Sequence, residues 1–121
     1  DKLRPEFSIL IYPVITMGKH THSGSKMNLL GGKPSAELIQ RFSNELRVTA
    51  NTPPTFLAHA IDDKPVPPIN SQLFYEACKK HGVPAVYLKL PDGGHGLNGY
   101  KGASWDKWQE RAIEWISHLA F

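Results

Sequence analysis

The sequence holds a single cysteine, Cys78. An internal disulfide is therefore impossible and a multi-cysteine metal site is excluded, while one thiol says nothing of the redox compartment. Long hydrophobic runs are missing as well. The longest apolar stretch, Phe7 to Ile15, falls well short of the roughly 20 residues that span a bilayer, and no charged, apolar, small-residue series marks a signal peptide. Charge of one sign is scarce: 14 Lys and Arg face 11 Asp and Glu, a net charge of +3. The basic residues are scattered and not interleaved with aromatics, so the footprint expected of a nucleic-acid binder is absent. No serine has a glycine two residues before it and another two residues after it, which removes the strained strand-to-helix turn that exposes a nucleophilic serine.

What is present suits one small domain or part of one, since 121 residues can bury a core yet fall short of most complete α/β enzymes. Phe7 to Val14 is a continuous apolar run with β-branched and aromatic residues, expected as a central strand buried on both faces. Ile15 to Lys33 turns to Gly, Ser, Thr, His and Asn, which predicts a long loop of the functional or partly ordered kind. Ser35 predicts a helix cap, with Glu37 in the first turn and Leu38, Ile39, Phe42 and Leu46 as an apolar stripe for packing on a sheet. Thr55 to His59 predicts a second strand running into the Asp62-Asp63 turn. A helix then follows Val66-Pro67 and stops at Gly82 and Pro84. Ala85 to Leu90 predicts a third strand ending in Pro91-Asp-Gly-Gly-His95-Gly, and Ser104 is expected to cap a final helix. Trp105, Trp108, Ala112, Trp115, Ile116 and Leu119 share one stripe of that helix, which favours core packing over sugar stacking.

Strands alternating with helices argue for an α/β fold of three parallel strands joined by right-handed crossovers. Functional groups then gather at the carboxyl ends of the strands. Asp63 follows the second strand and His95 the third, so topology alone brings both to one sheet edge. A carboxylate beside a histidine fixes its tautomer and stabilises the imidazolium formed when it deprotonates a hydroxyl. Asp62 competes as the acid, but Asp63 stands three residues before Val66-Pro67 and is preferred. The plain structural reading makes Asp63 a helix-capping acid and His95 a turn histidine. His20 and His22 are two imidazoles on a loop with only His59 as a loose third, fewer ligands than zinc needs, so no metal and no cofactor are expected. His22, Val66 and Leu97 border the same edge and are candidates for lining an acyl or sugar pocket.

Three segments carry a wider resemblance: Leu57-Ala-His-Ala-Ile-Asp-Asp-Lys-Pro-Val-Pro-Pro-Ile-Asn-Ser71, Phe74-Tyr-Glu-Ala-Cys-Lys-Lys-His-Gly-Val-Pro84, and Tyr87-Leu-Lys-Leu-Pro-Asp-Gly-Gly-His-Gly-Leu97. The chain resembles the C-terminal half of the α/β-hydrolase fold, on the esterase and lipase branch that includes acetyl-xylan esterase-like enzymes, and is similar to the prolyl oligopeptidase family too. Ile11-Tyr-Pro-Val-Ile15 and His22-Ser-Gly-Ser25 tip the resemblance to the carbohydrate-esterase side. It implies that residues 1–121 are the C-terminal part of such a domain, with Asp63 as triad acid, His95 as catalytic base, and the nucleophile elbow and oxyanion hole in an N-terminal half. The implied activity is serine-type ester hydrolysis on an acylated carbohydrate. The alternatives are a prolyl oligopeptidase-like peptidase and a non-catalytic association module. The expected partners are an ester substrate and either the missing half or a chain pairing with the edge strand, with neither nucleic acid nor membrane. Only the resemblance points to an extracellular or periplasmic setting.

Overall fold

A computed structural model describes residues 2–120 of the chain. In order come strand β1 (Ser8–Ile11), helices α1 (Ser23–Leu30) and α2 (Ala36–Phe42), a 3-10 turn (Asn44–Leu46), strand β2 (Thr55–Ala60), helix α3 (Ile69–Lys80), strand β3 (Ala85–Leu90), a short turn α4 (Leu97–Tyr100) and helix α5 (Ala103–Ser117). The strands form one parallel sheet in the order β1-β2-β3. Thr55 pairs with Ser8 on one side and with Ala85 on the other. Among the described residues, no helix is long and apolar enough to cross a membrane.

β2 is buried along its whole length, as expected of a strand covered on both faces. Side chains alternate between faces. Phe56, Ala58 and Ala60 join Leu90, Leu97 and Ala112 in a core against which Trp105, Trp108 and Trp115 of α5 pack. The Phe56 and Trp115 ring centroids lie 5.8 Å apart. His59, on the opposite face, meets Ser71 of α3. Near the base of α3, Cys78, Val48 and Val83 form a second cluster. Burial pushes the Cys78 thiol up, with a hydrogen bond to Thr55 pulling weakly the other way.

Asn70 ties the segment after β1 to the start of α3. It is fully buried; its Oδ1 accepts from the Ile15 and Thr16 amides, both at 3.0 Å, and its Nδ2 donates to the carbonyls of His20 at 2.9 Å and Pro67 at 3.0 Å. A side-chain amide that satisfies four groups in a dry site is a rigid strut.

Several elements differ from expectation. β1 is shorter than Phe7 to Val14 because Tyr12 turns to a φ of +40°, outside the β region and uncommon for a residue with a Cβ, and Pro13 has no N–H to extend the ladder. The expected loop from Ile15 to Lys33 contains α1, whose start is capped by His22: Nδ1 accepts from the Ser25 amide at 3.1 Å. α2 keeps its Ser35 cap but does not lay its stripe on the sheet. None of its residues is buried, and it packs beside the 3-10 turn instead. α5 begins two residues earlier than a Ser104 cap implies. Gly102 stands at its N-cap, and buried Ser104 sits inside the helix with its hydroxyl donating to Asp92 Oδ1 at 3.2 Å.

Truncating the best-buried aromatic of the strand tests this core. Phe56→Ala removes packing against Trp115 and is expected to cost about 3–5 kcal/mol, read as a fall in the denaturation midpoint; a loss below about 1 kcal/mol contradicts the assigned core.

Candidate active site

Parallel pairing brings the turn after β2 and the turn after β3 side by side. Ile61 continues the ladder, its amide donating to the Leu90 carbonyl at 2.9 Å, and the Asp63 amide closes a turn on the Ala60 carbonyl at 3.2 Å. Across the gap, Asp62 Oδ1 accepts from the Gly94 amide at 2.9 Å. Glycine is required at Gly93: its φ is +114°, and a Cβ there would stand 3.1 Å from the Leu97 Cα. The chain then runs through four non-right-handed residues, Leu97 at φ +50°, Asn98 at +58°, Gly99 at +67° and Tyr100 at +68°, so α4 is a left-handed turn and not a continuation of α5. Sparsely populated backbone of this kind persists where surrounding packing over-determines it, and Leu97 is fully buried beneath it.

Those turns deliver one close pair. His95 Nδ1 lies 2.9 Å from Asp63 Oδ2, with the Asp63 side chain fully buried and the His95 side chain 39% exposed. The carboxylate only accepts, so Nδ1 carries the hydrogen and Nε2 is the basic nitrogen. Asp63 Oδ1 accepts from the Val66 amide at 2.9 Å, closing the acid's own turn. The Tyr12 ring abuts His95 edge-on, centroids 4.6 Å apart; burial, then Tyr100 and Asp63, raise the Tyr12 hydroxyl above its ordinary value. Among the described residues, no hydroxyl is hydrogen-bonded to His95.

The remaining candidates have other surroundings, although the Val66 peptide itself bonds Asp63. Asp62 sits next to Asp63 but serves the Gly94 amide. His22 caps α1, while Val66 and Leu97 are buried, at 2% and 0% exposed. His20, His22 and His59 do not converge, and no group of three His, Cys, Asp or Glu side chains among the described residues is placed to hold a metal ion. One residue that the sequence offers only as a loose third metal ligand does reach the site. His59 Nε2 lies 2.8 Å from the Val66 carbonyl and 3.2 Å from Asp63 Oδ2, and its Nδ1 lies 2.7 Å from Ser71 Oγ. Its signal in the sequence was a histidine in the middle of an otherwise apolar strand, a position where a buried polar group needs partners.

The sequence model of the prolyl oligopeptidase family (Peptidase_S9) matches residues 14–120. The chain belongs to the prolyl oligopeptidase family. It is 44% identical over 94 residues, 78% of its length, to endo-1,4-beta-xylanase B of Butyrivibrio fibrisolvens, and 33% identical over 118 residues, 93% of its length, to the acetylxylan esterase of Xylanibacter ruminicola. It spans 15% and 24% of those two proteins. Its fold superimposes on an acetyl ester-xyloside bifunctional hydrolase from Caldicellulosiruptor lactoaceticus with a TM-score of 0.90 at 41% identity, covering 94% of this chain and 42% of that one. The three parallel strands and their helices are those of an α/β-hydrolase.

Burial lowers the His59 pKa; the Val66 carbonyl and the Asp63 carboxylate pull it up, and His95 adds to the lowering. The unfolded chain therefore takes up a proton on this residue near its ordinary value of 6.5, while the folded chain resists. Stability present above about pH 6.5 is then lost as pH falls towards the lower folded value. Denaturant midpoints measured from pH 8 to pH 5 are expected to fall less in His59→Gln than in the native sequence; equal pH slopes contradict the assignment of His59 as buried and neutral.

Proposed function

We propose that residues 1–121 are the C-terminal part of an α/β-hydrolase domain of a serine-type carboxylic ester hydrolase acting on an acylated carbohydrate, and that they supply its acid and base. The observation that carries this reading is the 2.9 Å contact of a part-exposed imidazole Nδ1 with a buried carboxylate. The nucleophile is a serine hydroxyl outside these residues. His95 Nε2 takes its proton as the serine oxygen bonds to the acyl carbon, and Asp63 stabilises the resulting imidazolium. Collapse of the tetrahedral intermediate breaks the bond to the alcohol oxygen, which leaves with the proton from Nε2. Water then gives its proton to His95 as it attacks the acyl-serine, and the same imidazolium returns it to the serine oxygen as the carboxylic acid departs.

The sugar ester is favoured by the relatives, among them an acetylxylan esterase and an acetyl ester-xyloside hydrolase. The family description supports a second reading, peptide hydrolysis, since the same acid and base serve an amide as well as an ester. Turnover of acetylated xylooligosaccharide against a prolyl amide separates the two.

In the full-length protein acting on a chromogenic acetate, Asp63→Asn and His95→Ala are each expected to lower kcat by at least about 10³-fold. Asp62→Asn keeps an acceptor for the Gly94 amide and is expected to cost less than about tenfold, the worth of one exposed hydrogen bond. Unchanged rates in the first two variants, or the larger loss in Asp62→Asn, would refute the assignment.

A further inference from the structure

We propose that His59 is a positioning residue: its Nε2–H clamps the Asp63–Val66 turn and holds the Asp63 carboxylate in line with His95. The inference rests on the reading of Asp63 and His95 as the acid and base. His59 Nε2 faces the Val66 carbonyl at 2.8 Å and Asp63 Oδ2 at 3.2 Å, and both of those oxygens accept only, so Nε2 carries the hydrogen. Nδ1 is then a lone pair, and Ser71 Oγ, 2.7 Å away on α3, donates to it. The tautomer follows from partner chemistry alone, and the ring is fixed at both nitrogens between the sheet and α3.

The consequence lies in what the clamp holds. The Val66 amide donates to Asp63 Oδ1 while the Val66 carbonyl accepts from His59, so one peptide on either side of Val66 is pinned, one to the acid and one to the strand. Oδ2 is shared by two imidazoles, one fully buried and one part-exposed. The titratable groups facing His59 are Asp63 from the turn after β2 and His95 from the turn after β3; α3 offers only the Ser71 hydroxyl. A buried His59 that stays neutral leaves the single negative charge of Asp63 to the imidazolium of His95. A cationic His59 would divide that charge and repel His95 across the same carboxylate.

The test uses the full-length protein and three variants. His59→Gln carries an amide N–H to about the position of Nε2; His59→Asn is polar but too short to reach Val66; His59→Leu has no donor. His59→Leu and His59→Asn are expected to lower kcat on the order of 10–100-fold with KM little changed. They should also shift the acid limb of the kcat/KM pH profile and abolish the downfield proton resonance of the His95 Nδ1–H···Asp63 bond. His59→Gln should restore rate, profile and resonance. If His59→Leu does not fold, the Gln and Asn pair decides, and identical behaviour of those two overturns the proposal, as does a folded His59→Leu with native kcat, acid limb and resonance. The resonance is read without turnover, so a failure of the acid–base reading itself, seen as full activity in Asp63→Asn, is told apart from a failure of the clamp.

Discussion

A buried carboxylate at the end of the central strand is the constraint on which the rest of this molecule turns. Asp63 is 3% exposed, and a charge taken that far from water is tolerable only when its lone pairs are filled. Three donors fill them: the Val66 amide, His95 Nδ1 and His59 Nε2. Each comes from a different structural source, and each source is itself fixed. The Val66 turn is closed on the acid, the His95 turn is tied to Asp62 through Gly94 and kept tight by Gly93, and His59 is locked to α3 through Ser71. Loss of any one leaves the others holding an under-satisfied charge, which makes the network cooperative.

Much of this was legible in the residues because the strands carry strong local signals. β3 lies at Ala85–Leu90, as its apolar run between Pro84 and Pro91 implied, and parallel order alone put Asp63 and His95 on one edge. What escaped has physical reasons. Tyr12 leaves the strand through a backbone conformation that no propensity favours. α1 forms in a segment of loop composition because an imidazole caps it and no buried face is needed. The stripe of α2 suggests packing on the sheet, yet amphipathic spacing cannot say which surface a helix meets, and here it meets the 3-10 turn instead. His59 looked like a stray metal ligand because a lone histidine reveals nothing of its partners until Ser71 and Val66 are brought to it.

The fold also relates chemistry to neighbourhood. His95 is flanked by Tyr12, itself held in a left-handed backbone, and strain of this kind gathers at working sites. Beyond Tyr12, β1 has a paired strand on one side only among the described residues, and all four of its residues are part-exposed, whereas every residue of β2 is buried. Such an edge accepts further pairing. It is in keeping with the proposal that Asp63 and His95 serve a serine hydroxyl outside residues 1–121.

The most direct measurement of that claim is covalent trapping. Full-length protein treated with an aryl phosphonate ester, digested and mapped by mass spectrometry, should carry one phosphonylated serine outside residues 1–121, and His95→Ala should form the adduct far more slowly. An adduct on a serine within residues 1–121, or an unaltered rate without His95, contradicts the account.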